Sequence, residues 1–337
     1  MKSVLLIERN LWYDFLTSLL NEIDVFVPVS RGNYIDYDKF TGDSRDIIYN
    51  RPLPVTPLKY FVLPFRENVV ISKKIHNKKI IIGVPSCDLE GLRILDEIYM
   101  DGKFADNVYR SNRENLIIIG TDCYDQAPSC HCTSYGIEPF PVSNADVVMS
   151  DIDGNIVLKA VSDKGFELFG RIKDKFLTFQ VTQGTLDLIE KKRKDAKEKL
   201  KQKNSALPEY NETASLILGS NDEIWQRHSA SCVSCGACAT ICPTCTCFLL
   251  IDRPDFEKIR QTDACQYPGF GRIAAGEDPL REKHVRFRNR YMCKFIWKPE
   301  NFSKIACTGC GRCIECCPGK ISKNEIFTEM NQTVVTS

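Results

Sequence analysis

Through the first half of the chain, short runs of apolar and often β-branched residues alternate with amphipathic stretches. Val4 to Ile7 reads as a strand, Leu11 to Ile23 as an amphipathic helix and Val25 to Val29 as a second strand. Tyr60 to Leu63 reads as extended. Lys79 to Val84 (KIIIGV) has no polar alternation, as expected of a strand buried on both faces. Asp88 to Tyr99 then places Leu89, Leu92, Ile94, Leu95 and Ile98 on the apolar side of a helix. Asn115 to Gly120 (NLIIIG) repeats the strand pattern, and Val147 to Val161 reads as a hairpin about Asp153-Gly154 with an ordinary solvent face. The alternation predicts an α/β N-terminal domain. Both buried strands end in cysteine-bearing loops, at Cys87 and Cys123, on the side of an open α/β sheet where ligands collect.

Leu186 to Asn204 is dense in Lys and Glu, with i,i+4 pairs such as Asp195 to Lys199, the pattern of an exposed connecting helix. A boundary near Pro208 follows. Residues 1–208 make the α/β domain with its charged linker helix, and residues 209–337 make a second domain, with helical signals at Phe256 to Arg260 and Val285 to Trp297. Beyond Met330 the Thr/Val tail is expected to fray.

Cysteine changes the picture. Of 17 cysteines, eight fall into two copies of C-x2-C-x2-C-x3-C-P: Cys232, Cys235, Cys238, Cys242 with Pro243, and Cys307, Cys310, Cys313, Cys317 with Pro318. Three thiolates at such intervals wrap one face of a 4Fe-4S cube, and the fourth is directed to the neighbouring cluster. By this logic Cys232, Cys235, Cys238 and Cys317 hold one cluster, and Cys307, Cys310, Cys313 and Cys242 the other. Structural zinc, which uses paired C-x2-4-C knuckles, explains the repeated run poorly. The long insert between Cys242 and Cys307 favours an α-helical ferredoxin-like dicluster domain over a compact β-rich one.

Two further groups remain. Cys87, Cys123, Cys130 and Cys132 supply four thiolates for a candidate third 4Fe-4S cluster, with His131 directed at solvent. Cys245, Cys247, Cys265 and Cys293, inside the insert, are either packing around a cluster or ligands of an additional one. Cys316 is read as non-ligating. The run Arg281, Lys283, Arg286, Arg288, Arg290 and Lys294 offers cations to offset cluster charge rather than a nucleic-acid face, since 45 basic and 44 acidic residues leave a net charge of +1. The glycines around Gly269, Gly271 and Gly276 do not match G-x-G-x-x-G, and no Walker, Ser-His-Asp, nicotinamide or flavin motif is present. No signal-peptide core and no long apolar run interrupt the chain, so a cytoplasmic, low-oxygen setting without membrane contact is expected.

CPTCTC (Cys242 to Cys247), DACQYPGF (Asp263 to Phe270), RFRNRYMCK (Arg286 to Lys294), CTGCGRC (Cys307 to Cys313), PSCDLEGLRILD (Pro85 to Asp96) and the SCHC around Cys130 resemble the iron-sulfur β subunit of cytoplasmic sulfhydrogenases, the NAD(P)-linked nickel-iron hydrogenases, and the related A subunit of anaerobic sulfite reductase. The resemblance implies a non-catalytic electron-transfer subunit. Its partners would be a flavin/NAD(P)H diaphorase subunit and a catalytic redox subunit. Ala274-Ala275-Gly276-Glu277 departs from the A-G-G-H common in the family, and Cys293 matches its hydrogenase-type members. The alternative is a catalytic iron-sulfur subunit of a sulfur or disulfide reductase. Its Cys-Cys-Gly pattern is absent, because Cys316-Cys317 runs into Pro318.

Overall fold

The computed structural model describes residues 3–51, 53–70, 77–100 and 105–336; Met1 and Lys2 of the N-terminal reading, Ser337 and the side chains of 334–336 in the tail lie outside them. Among the described residues, ten strands form two sheets. They are β1 (Val4–Glu8), β2 (Asp24–Ser30), β3 (Ile35–Lys39), β4 (Arg66–Asn68), β5 (Lys79–Pro85), β6 (Leu116–Thr121), β7 (Val147–Ile152), β8 (Asn155–Ala160), β9 (Phe248–Asp252) and β10 (Lys258–Thr262). The larger sheet has the order β1-β8-β7-β6-β5-β2-β3. Its centre, β2, β5, β6 and β7, is parallel, and β8, β1 and β3 close the edges antiparallel.

The two isoleucine-rich runs are β5 and β6, side by side at the centre. They lack polar alternation because helices cover both faces. Trp12, Phe15 and Leu16 of the helix Arg9–Ser18, with Leu168, Phe169 and Ile172 of Asp163–Lys175, fill one side. Leu89, Leu92 and Leu95 of Ser86–Tyr99, with Tyr109 of Asn107–Glu114, fill the other. Capping starts these helices where the sequence allows it: Asp106 accepts from the Val108 and Tyr109 amides, and Ser162 from that of Gly165.

Several expectations need correction. Tyr60 to Leu63 is not extended but belongs to the helical turn Lys59–Val62. Phe61 docks edge-on against Phe26 and Tyr37, and the buried Asp88 carboxylate accepts from the Leu58 amide at 3.0 Å. Tertiary packing overrides the aromatic β-propensity there. Phe256 to Arg260 is not helical: Asp255 and Phe256 turn the chain at φ 62° and 60°, and β10 pairs with β9. The first helix stops at Ser18, short of Ile23. The Asp153-Gly154 hairpin is present, with φ 49° and 81° at its turn. Its face is not ordinary, however, because β8 lies between β7 and β1 with Ile156, Leu158 and Ala160 buried. The C-terminal helix runs from Lys323 past Met330 to Thr336.

The second half is mainly helical around an aromatic core of Tyr210, Trp225, Phe287, Tyr291, Phe295 and Phe327. It interlocks with the first half. β10 pairs with β4, and Arg312, in the second cysteine motif, forms a buried bidentate pair with Asp88 of the first half. Next to Arg312 the backbones touch: the His131 amide donates to the Gly309 carbonyl at 2.9 Å. A Cβ on Gly309 (φ +64°) would stand 2.6 Å from the Cys132 Cα, and one on Gly311 (φ +79°) 2.7 Å from the Ser129 carbonyl oxygen. Gly309→Ala therefore meets both a left-handed backbone, at about 1–2 kcal/mol, and an overpacked contact with unyielding main chain, at about 1–3 kcal/mol. The expected result is an earlier thermal transition and faster amide exchange in residues 129–132. Unchanged protection there would show that the contact is not required.

Candidate metal centres

The two ferredoxin motifs fold alike. Each has a glycine with positive φ, Gly236 at 72° and Gly311 at 79°, followed by one short helix, Ala237–Thr240 and Arg312–Glu315, and the two helices pack together. The glycine turns the chain back so that cysteines three apart present their thiols to one side. A pocket is lined by Cys232, Cys235 and Cys238 of the first motif together with Cys317 of the second. The Ser234 amide donates to the Cys232 sulfur and the Ile321 amide to the Cys317 sulfur, both at 3.4 Å. Cys310 lies within electrostatic reach of Cys242 and Cys313. Cys313 of the second motif lines the same pocket as Cys317, and Cys242 of the first motif lies near Cys310, so the cysteines of the two motifs intermingle. Cys307 faces the Tyr135 and Lys323 side of the aromatic core. Cys316 is half-buried, and burial pushes its thiol up to about 12.

The N-terminal group assembles at the carboxyl ends of β5 and β6. Cys123 lies within reach of Cys130 and Cys132, and Cys87 within reach of Cys132 and of Cys310. Cys87 is not in a loop but in the first turn of the helix Ser86–Tyr99. Burial raises all four thiols, Cys132 to about 12. The charged helix Gln183–Lys203 does more than connect: Leu200 packs on Cys130 and Cys132, and the adjoining Asn204 amide donates to the Cys130 carbonyl at 2.9 Å. His131 is not directed at solvent. It is fully buried, its Nδ1 is 2.8 Å from the Ser129 carbonyl and its ring stands edge-on to Tyr135. Burial holds its pKa well below the ordinary histidine value. Its position between two cysteines hid this, because a loop's facing is set by what packs over it.

In the insert, Cys247 precedes β9 and Cys265 follows β10. Their thiols hydrogen-bond to each other, holding Cys247 down to about 6 and Cys265 up. The Cys245 thiol, with help from Lys294 and Arg290, holds Cys242 well below the ordinary thiol range. Cys293 begins a π-helical turn, Cys293–Trp297, that interrupts the helix expected over Val285 to Trp297.

The cations give a direct test of whether these cysteines suit thiolate-ligated clusters. Lys59, Arg290, Lys294, Lys298 and Lys323 are all buried, and among the described residues none forms an ion pair with a carboxylate. Burial opposes charge on Arg290, yet Cys238 and Cys313 hold its pKa well above the usual value; Cys242 and Cys245 do the same for Lys294. Buried charges require compensation, and sulfur is what surrounds these two; burial lowers the pKa of Lys59, Lys298 and Lys323. Of the basic run in the sequence, Arg290 and Lys294 take this role. Arg286 is buried on backbone carbonyls, Arg288 pairs with Asp222, and the Lys283 ammonium donates to the Ala230 carbonyl. Sequence reasoning missed Lys59, Lys298 and Lys323. Lys298 could have been found one turn beyond Lys294, but Lys59 carries no local signal. Among the described residues, no three His, Cys, Asp or Glu side chains converge where one metal ion could sit.

Among the described residues no helix is long and apolar enough to cross a membrane. Residues 231–321 match the 4Fe-4S dicluster domain family. Over 335 residues the chain is 27% identical to sulfhydrogenase 2 subunit beta of Pyrococcus furiosus, and the match covers 96% of each chain. The chain thus carries a 4Fe-4S dicluster domain and is, along nearly its whole length, a homologue of a sulfhydrogenase β subunit.

Proposed function

We propose that this iron-sulfur chain is the electron-relay subunit of a cytoplasmic complex. It would pass single electrons between a flavin subunit that exchanges them with NAD(P)H and a catalytic subunit of hydrogenase or sulfite-reductase type. The observation that carries this reading is the continuity of its cysteine groups. Cys87 adjoins both Cys132 and Cys310, the Cys130 thiol donates to the Cys310 carbonyl at 3.7 Å, Cys310 adjoins Cys242 and Cys313, and Cys313 adjoins Cys238. We assign Cys232, Cys235, Cys238 and Cys317 to one cluster, Cys307, Cys310, Cys313 and Cys242 to a second, and Cys87, Cys123, Cys130 and Cys132 to a third.

Clusters bound by these thiolates supply one-electron chemistry. The chain's own residues set the conditions. Amides at Ser234 and Ile321 hydrogen-bond the ligand sulfurs, and Arg290 places positive charge beside both ferredoxin motifs, next to Cys238 and Cys313. The aromatic core of Tyr135, Tyr291 and Phe295 excludes water from one side. The hydrogen bonds and the positive charge favour the reduced, more negative state, and the exclusion of water opposes it.

Two measurements test the reading. Cys130→Ala with Cys132→Ala is expected to lose about four irons and as many acid-labile sulfides; an unchanged content would make the N-terminal group structural. In an anaerobic titration, NADH or NADPH alone should leave the visible absorbance of the purified chain unchanged, and a catalytic amount of a flavin diaphorase should bleach it. Bleaching without the flavoprotein would place a nicotinamide site on this chain and overturn the relay.

A further inference from the structure

Three buried lysines converge on one short segment. Lys294 Nζ donates to the Thr244 hydroxyl at 2.7 Å, Lys298 Nζ to the Thr244 carbonyl at 2.6 Å and the Thr246 hydroxyl at 3.1 Å, and Lys59 Nζ to the Cys245 carbonyl at 3.2 Å. They come from separate places in the chain, Lys59 from the first half and the other two from the π turn and the helix after it. Their relative exposures are 3%, 2% and 8%. Neutral hydroxyls and carbonyls are their only hydrogen-bond partners among the described residues; Cys242 and Cys245 hold Lys294 charged, while burial lowers the pKa of Lys59 and Lys298. The nearest groups able to carry negative charge are Cys242, Cys245 and Cys293.

The two ferredoxin clusters take only Cys242 from this neighbourhood. Cys245, Cys247, Cys265 and Cys293 are left over. They come from three segments: Cys245 and Cys247 from the exit of the first motif, Cys265 from the chain just after β10, and Cys293 from the π turn, where it and Cys245 both face the Lys298 ammonium. Cys265 is within electrostatic reach of both Cys245 and Cys247, and the Asp263 amide donates to the Cys247 carbonyl at 3.0 Å, fastening the hairpin's root. A single-turn π insertion re-aims side chains and is frequent at functional sites; here it carries Cys293 and Lys294.

We infer that Cys245, Cys247, Cys265 and Cys293 hold an iron-sulfur cluster of their own, of the 4Fe-4S class, with Lys59, Lys294 and Lys298 as its counter-charges. With four thiolates such a cube carries a net charge of about −2 oxidised and about −3 reduced, which the ammonium groups at this site offset. The lysines thereby favour the reduced state at this site, and the hairpin leading from it exposes Phe248, Leu249 and Leu250 at a sheet edge. The inference rests on the iron-sulfur reading above but concerns different thiols.

The test uses the full chain, purified anaerobically. Cys247→Ser with Cys265→Ser should lose about four irons and four sulfides, together with one electron paramagnetic resonance signal of the reduced protein, while the ferredoxin signals persist. Lys294→Met should keep its iron and show one cluster with a lowered potential. Cys235→Ser is the control. If it loses iron and the double variant does not, this inference fails and the ferredoxin reading stands. If the unmodified chain binds no iron and sulfide, the iron-sulfur reading fails as a whole. Native mass spectrometry of the unmodified chain needs no variant to fold. It must count one cluster more than the ferredoxin pair plus whatever the Cys130→Ala, Cys132→Ala variant assigns to the Cys87 group, and a lower count overturns the proposal.

Discussion

Cys317→Ser is expected to empty the cluster of the first motif, and Cys242→Ser that of the second, each with a loss of about four irons. A local assignment, in which each run of four cysteines serves its own cluster, predicts the opposite. The argument for crossing is spatial. Cys317 lines, together with Cys313, the pocket made by Cys232, Cys235 and Cys238, and Cys242 is buried near Cys310. Both cysteines follow a short helix and precede a proline, which carries the chain away from its own motif. The two variants separate cleanly against a background of one damaged motif. Cys317→Ser added to Cys235→Ser should remove little further iron, whereas Cys242→Ser added to Cys235→Ser should remove about four more. Further loss in the first combination, with none in the second, would restore the local assignment.

Arg312→Leu should be the most destabilising single change outside the ligands. Its guanidinium is fully desolvated, with relative side-chain exposures of 3% for Arg312 and 0% for Asp88. Both oxygens of Asp88 are engaged: one Nη–Oδ contact measures 2.9 Å, and Oδ2 also accepts from the Leu58 amide. Arg312 Nε donates to the Pro54 carbonyl at 2.9 Å. Removing the arginine strands a buried carboxylate at a cost of about 3–5 kcal/mol, or a fall in melting temperature on the order of 5–10 °C. Arg312→Lys should lose less, because it keeps the charge without the planar fork. The pair joins the first helix after β5 to the second cysteine motif, so the loss should also loosen the Cys87 group from Cys310. Asp88→Leu combined with Arg312→Leu should recover part of the stability; an equal or greater loss in the double variant would mean that the pair is not the origin of the effect.

Much of this architecture was legible in the residues. β5 and β6 were visible as apolar runs too continuous for an exposed strand, and the Asp153-Gly154 turn was visible because few dipeptides accept two positive φ angles. Tyr60 to Leu63 and Phe256 to Arg260 were misread for opposite reasons. In the first, aromatic propensity yielded to a capped turn docked on Phe26; in the second, an apparently helical spacing yielded to pairing with β9.

The sequence by itself determined the ligand chemistry and its count of thiols, since C-x2-C-x2-C followed by C-P is a local code that one turn of chain can satisfy. It also determined the central strands, whose burial on both faces leaves a one-dimensional trace. Tertiary structure alone decided which cysteine stands with which motif, that His131 faces inward, and that Lys59 reaches across from the first half to sit beside Cys245. These are contacts between residues far apart in the chain, where no spacing rule operates. Their outcome is set by which surfaces exclude water together and which buried charges must then be balanced.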